Sequence, residues 1–286
     1  MPYVTIERDH APALSLHYEI WGDRPAAPTI VLVHELGGSL ESFRAFGAIL
    51  ALRHRVVAFD QRGAGRSEKP TGPCTIADLA DDIRALADAI KVAAPFHLLG
   101  LAMGAITALR FAVQHGERLD SLILCDAISE INDGSRNYLL RQAESVRKEG
   151  MRAVADATFK NAFRGLADAA ANPAWAAYRQ AFLGNAPEAY AMQLTALAGM
   201  SLTAEDMGKV RCRTLALTGK HDAIWPPAAG EALTAKLPNA RFEILENAAH
   251  LPPVQDTKSV AACVMDFLEE EAHSRFWQQP VPIPPS

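Results

Sequence analysis

One stretch constrains this chain more than any other, Pro95-Phe96-His97-Leu98-Leu99-Gly100-Leu101-Ala102-Met103-Gly104-Ala105, followed by apolar residues at helical spacing. Phe96 to Leu99 reads as a buried strand and Ala105 to Val113 as a helix. Between them Gly100 to Gly104 must turn the chain sharply. A strand that enters a helix through so short a turn needs neighbours without bulk, and Gly100 and Gly104 meet that need on either side of Ala102. The central residue is then lifted above the end of the strand. Such an elbow belongs to layered α/β architecture, where a helix follows a buried strand and packs back onto the sheet.

The remaining pattern agrees. Residues 2–7 and 14–21 read as strands, with Leu14, Leu16, Tyr18 and Ile20 alternating against polar neighbours. Asp23-Arg24-Pro25 reads as a turn. Thr29 to Val33 and Val56 to Phe59 are apolar runs suited to strands buried on both faces. Leu119 to Leu124, Thr214 to Leu217 and Arg241 to Leu245 read the same way, and Ser42 to Leu52, Ile76 to Ile90, Ala228 to Leu237 and Lys258 to His273 read as helices. The alternation implies a mostly parallel central sheet flanked by helices. Residues 129–205 break it, with helical patterns and no strand-like run, so an inserted helical cap is expected there. The expected division is an α/β core over 1–128 and 206–273, a cap over 129–205 and a loose Pro-rich tail over 274–286.

Charge and composition exclude some functions. The net charge is −5 and the basic residues are dispersed, which argues against a nucleic-acid surface. No apolar run reaches membrane-spanning length. The charged, strand-like start Met-Pro-Tyr-Val-Thr-Ile-Glu-Arg-Asp does not read as a signal peptide. Cys74, Cys125, Cys212 and Cys263 are widely spaced without a Cys-x-x-Cys pair, so free thiols and a cytoplasmic location are expected. No His/Cys/Asp cluster has metal-ligand spacing, and no cofactor is implied. The expected partner is a small molecule, and the chain is a monomer or a homo-oligomer.

Chemistry-bearing residues fall where strands end. His34-Glu35-Leu36-Gly37-Gly38-Ser39 follows the run to Val33, and Asp60-Gln61-Arg62-Gly63-Ala64-Gly65-Arg66-Ser67 follows Phe59. Asp126 follows Cys125, Asp222 lies in Gly219-Lys220-His221-Asp222, and His250 ends Asn247-Ala248-Ala249-His250. Together with the elbow these motifs resemble the α/β-hydrolase superfamily, whose elbow reads Gly-x-Ser-x-Gly and whose triad runs nucleophile, acid, histidine. The resemblance implies that His250 is the base and that Leu36 and Met103 give backbone N–H groups to an oxyanion hole. Asp222 is the implied acid, with Asp126 the alternative that some members use and Asp60 a weaker third. Asp60 and Arg62 read as a structural charge pair. Glu35 stands where the family usually has glycine. It reads as a turn residue with a solvated carboxylate, against the alternative of an acid that contacts substrate.

The departure is Ala102, which has no oxygen to attack with. One reading is an engineered Ser-to-Ala knockout, favoured because base, acid and oxyanion loop are undamaged. The other is a non-catalytic binding or receptor protein with native Ala102. A dehalogenase or epoxide hydrolase would need a carboxylate at 102. Across most of the chain the pattern is similar to the β-ketoadipate enol-lactone hydrolase group, whose members hydrolyse small carboxylate-bearing lactones and whose cousins cleave amides, formyl groups or carbon–carbon bonds. That resemblance implies a small anionic substrate and a cation in the pocket. Arg152, with Trp175 and Tyr178, is the expected cap contribution to binding. Phe159, Phe163, Trp175, Tyr178, Phe182 and Tyr190 either line the lid or form the cap's own core.

Overall fold

The computed structural model describes residues 2–8, 11–22, 24, 27–166 and 173–278. Eight strands form one sheet: β1 (Tyr3–Arg8), β2 (Ala11–Trp21), β3 (Thr29–Val33), β4 (Arg55–Phe59), β5 (Phe96–Leu101), β6 (Leu119–Cys125), β7 (Arg213–Gly219) and β8 (Ala240–Leu245). Their order is β1-β2-β4-β3-β5-β6-β7-β8. The β1/β2 and β2/β4 pairs are antiparallel, and every later pair is parallel. Ile30 to Val33 and Leu98 to Leu101 are buried throughout, because the sheet is covered on both faces.

The covering helices are α1 (Arg44–Leu50), α2 (Ile76–Ala89) and α3 (Met103–His115) from the first half, and α9 (Pro227–Thr234), α10 (Pro252–Gln255) and α11 (Thr257–Gln278) from the second. Thr75 begins α2 with a reciprocal capping box to Asp78, so a turn of local sequence sets where that helix starts. Between β6 and β7 run α4 (Asp133–Glu149), α5 (Arg152–Ala162), α6 (Pro173–Leu183), α7 (Pro187–Ala198) and α8 (Ala204–Lys209). No strand interrupts them among the described residues. The expected cap boundary at 205/206 falls inside α8, and α11 runs on to Gln278 rather than ending at His273. Residues 279–286 of the expected tail, and 23 and 25 of the expected turn, lie outside the described residues.

Parallel register brings the functional loops to one edge. Val33 pairs with Gly100, Leu101 with Cys125, and Cys125 with Leu217. The loops after β3, β5, β6 and β7 therefore leave the sheet side by side at its carboxyl end, where open α/β sheets bind ligands. No helix among the described residues is long and apolar enough to cross a membrane.

Candidate active site

The elbow is built by exclusion of side chains. A Cβ on Gly100 would stand 2.2 Å from the Gly104 carbonyl oxygen, and one on Gly104 would stand 2.1 Å from that of Val33. Between them Ala102 adopts φ 51° and ψ −115°, far from the regions an ordinary side chain prefers. Its N–H is held by the Cys125 carbonyl at 2.8 Å, and its own carbonyl accepts the first bonds of α3 from Ala105 and Ile106. The Ala102 side chain faces a cavity of about 320 Å³.

His250 enters that cavity from the loop after β8. Its Nδ1 faces Asp222 Oδ2 at 2.8 Å, and its ring meets Trp225 edge-on at 5.1 Å. Asp222 Oδ1 accepts the N–H groups of Ile224 and Trp225 at 2.7 and 3.0 Å. That turn aims the carboxylate, and the carboxylate orients the ring. Gln255, which the sequence did not single out, staples the histidine loop. Its Oε1 accepts from the N–H groups of Ala249 and Leu251, and its Nε2 donates to the Ala162 carbonyl, which also takes the His250 N–H.

Asp126 stands behind Asp222. It is fully buried at φ 50°, its Oδ1 accepts from Gly219 N–H at 3.1 Å, and its Oδ2 has no hydrogen-bond partner. Burial, and then the adjacent Asp222 carboxylate, push its carboxyl well above the usual range. Asp126, Asp222 and His250 bring donor atoms within 4.8 Å of one another. The Nδ1 bond of His250 nevertheless goes to Asp222. Asp222 is already spent on that imidazole and on two backbone amides.

The loop after β3 is locked from below. His34 Nε2 accepts the Gln61 N–H at 3.0 Å, so its Nδ1 carries the proton that goes to the Glu35 carbonyl at 2.7 Å. Leu36 and Met103 line the cavity beside Ala102. Among the described residues no backbone acceptor takes either of their N–H groups. Glu35 also lines the cavity, and it is 2% exposed. The expected solvated carboxylate is thus overturned: Ser42 Oγ donates to Oε1 at 2.7 Å, and the side chain folds back over Gly38, where a Cβ would lie 2.0 Å from Oε1. Asp60 and Arg62 do not pair with each other either. Asp60 binds His17, and Arg62 binds Asp82, because the loop after β4 sends the two side chains apart.

Among the expected cap residues, Tyr178 lines the cavity and Tyr190 joins it. Burial and the facing Glu35 hold the Tyr178 phenol well above its ordinary pKa. Arg152 and Trp175 are elsewhere. Arg152 is exposed, since its position in the first turn of α5 turns outward, and Trp175 packs against Phe159 with ring centres 5.6 Å apart. Phe159 also meets Phe182 with ring centres 5.4 Å apart, within a cluster that includes residues of β3, β4 and β5. No Lys or Arg lines the cavity among the described residues, so the expected cation for a substrate carboxylate is missing from its wall.

A sheet of this order, with an elbow, an ordered Asp–His pair and helices α4 to α8 inserted between β6 and β7, defines an α/β-hydrolase architecture. Residues 28–257 match the α/β hydrolase fold family, and the chain belongs to it. The RutD protein of Caulobacter sp. (strain K31), whose name assigns it provisionally to carbamate hydrolysis, is 30% identical over 264 residues, covering 90% of this chain and 97% of its own. The enol-lactonase of Burkholderia xenovorans LB400 superposes with a TM-score of 0.87 at 31% identity, covering 94% of this chain and all of its own. A thermophilic esterase from Thermogutta terrifontis superposes with a TM-score of 0.87 at 28% identity, covering 94% and 99%.

Proposed function

We propose that the cavity is a serine-hydrolase site in which position 102 belongs to the nucleophile, and that with serine there the protein cleaves a small ester, lactone or amide through an acyl-enzyme. The observation that carries this reading is the Ala102 backbone, φ 51° and ψ −115°. Such a conformation costs about 1–3 kcal/mol, and a methyl side chain has no use for it. A hydroxyl there would be lifted into the cavity beside His250 and the N–H groups of Leu36 and Met103. The hydroxyl attacks the carbonyl, His250 Nε2 takes its proton, and Asp222 holds the other ring nitrogen and balances the imidazolium. The N–H groups of Leu36 and Met103 receive the oxyanion. His250 then protonates the leaving group, and water, activated by the same imidazole, releases the acid. Relatives bearing the names esterase, enol-lactonase and carbamate hydrolase support the reaction class. The free state of all four cysteines suits a reducing, cytoplasmic setting.

With a methyl group at 102 no acyl-enzyme forms, so this chain is inactive in that chemistry. The test is Ala102→Ser, assayed beside the parent on aryl esters, enol-lactones and amides and probed with a fluorophosphonate. Turnover and a covalent adduct confined to Ala102→Ser are the expected result. A folded but inert Ala102→Ser would sink the reading and put a native binding protein in its place. One observation favours that second reading: buried Glu35 is another departure from the family pattern in the same cavity, and an engineered change at 102 alone leaves it unexplained.

A further inference from the structure

We infer that Glu35 selects the ligand of this cavity, which presents a cationic amine or N–H donor to that carboxylate rather than a carboxylate of its own. The inference deepens the proposed reading of the cavity as a substrate site and rests on it. Glu35 is 2% exposed, and only one of its oxygens, Oε1, accepts a hydrogen bond, from Ser42. Oε2 is buried with no hydrogen bond of ordinary geometry, and the Tyr178 hydroxyl that faces the carboxylate is a neutral donor that leaves its charge unbalanced. A carboxylate removed from water and left half-paired is costly, and such a group is retained where something else completes it.

The protein makes room for the charge and supplies nothing to neutralise it. Gly38 provides the room, since a Cβ there would stand 2.0 Å from Oε1 and 2.8 Å from Oε2. The arginines on adjoining segments are committed elsewhere, Arg44 to Glu19 and Glu41 and Arg62 to Asp82. Among the described residues no Lys or Arg lines the cavity, while Leu36, Leu139, Leu194 and Trp225 make much of it apolar. Glu35 is thus the one Asp, Glu, Lys or Arg in the wall among the described residues, and in this low-dielectric space its charge favours a cation or N–H donor at its own end of the cavity. Glu35 also immediately precedes Leu36, whose N–H faces the reacting carbonyl in the proposed chemistry. A ligand nitrogen that meets Glu35 therefore sits only a few bonds from that carbonyl, as in a small amino ester or amide.

The experiment uses the protein with Ala102 in place, which leaves esters intact. The ethyl ester of β-alanine, ethyl butyrate and the monoethyl ester of succinic acid differ chiefly in ending in an ammonium, a methyl or a carboxylate. Their affinities are measured by NMR titration on the parent and on Glu35→Gln, with thermal melting to verify that the variant is folded. The β-alanine ester is expected to bind at least about tenfold more tightly than the other two, a preference that Glu35→Gln abolishes while keeping butyrate binding. A succinate ester that binds as well as the amine, or an order unchanged in Glu35→Gln, overturns the inference. Should Glu35→Gln not fold, the order on the parent decides alone. If Ala102→Ser turns over esters while the amine gains nothing, only this inference falls. If no ester binds and Ala102→Ser is inert, the substrate-site reading falls with it.

Discussion

The buried carboxylates around the loop after β4, Asp60 and Asp82, are fully paired, whereas two of the three near the cavity, Glu35 and Asp126, are not. Asp60 uses both oxygens: Oδ1 accepts from Leu40 N–H at 2.8 Å, and Oδ2 from Arg66 N–H and the His17 ring at 2.8 and 2.9 Å. Asp82 takes Arg62 through two parallel bonds. Around the cavity, Glu35 and Asp126 each keep one oxygen without a partner, and theirs are the unpartnered buried carboxylate oxygens among the described residues. In the loop after β4, the paired carboxylate and guanidinium groups hold one geometry. At the cavity, Glu35 keeps one buried oxygen open to a ligand.

The largest effect expected bears on the site. Ala102→Ser should raise aryl-ester turnover over the parent on the order of 10⁴-fold or more, measured with active-site titration to count competent sites. In that background Asp222→Asn should forfeit about 10⁴-fold in kcat, because the imidazole loses its orienting acceptor. Asp126→Asn should keep most of the turnover, since Asp222 and not Asp126 holds His250 Nδ1. Equal losses in the two variants would erase the distinction drawn between these carboxylates.

The paired group is tested by Asp82→Ala, which strands Arg62 at 5% exposure. A loss of about 3–5 kcal/mol in urea unfolding is expected. A smaller effect sharpens the contrast from the other side. Asp126 has its pKa raised in the folded state by burial and by Asp222. Below the ordinary carboxylate pKa both states hold the proton and stability does not depend on it. Above that value the unfolded chain releases the proton while the folded chain keeps it, so stability falls with rising pH until the folded group titrates. Asp126→Asn should flatten that slope between mildly acidic and alkaline pH in a series of melts. An unchanged slope would mean that Asp126 is ionised in the fold.

The smallest effect belongs to the exposed surface. Hydrogen bonds from Arg44, with that from Trp21 also contributing, hold Glu19 down to about 2. This pair supports the fold above the unfolded carboxylate pKa and loses that support as pH falls toward the folded value. Because Glu19 is half-buried but its partner Arg44 is exposed, Glu19→Gln at neutral pH should cost no more than about 1 kcal/mol. Chemical denaturation at low and high salt measures it.

Much of the core was legible because its signals are local. The β-branched run Thr29–Val33 coincides with β3, and the glycines flanking Ala102 make the same turn in the structure that their lack of Cβ implied. The positions of Asp222 and His250 could be read from strand ends. Strand ends alone do not rank Asp126 and Asp222, which follow strands paired at the same sheet edge; the family resemblance put Asp222 first, and it is Asp222 that meets His250. Glu35 was misread because its fate depends on Gly38 for space and on Ser42 for one bond, neither of which marks a residue as buried in a linear pattern. Arg152 and Trp175 failed for a related reason: helical spacing says which residues share a face, not which face meets the cavity.

By itself the sequence determined the class of fold, the elbow, the absence of a side-chain nucleophile at 102 and the succession of Asp222 and His250 on loops after strands, because each follows from short-range sterics or from strand-to-loop succession. Only the tertiary structure decided which acid meets His250, which cap side chains face the cavity, and that Glu35 is buried with an oxygen to spare. Those properties depend on groups distant in the chain, where packing and desolvation act together and no local pattern carries their sum.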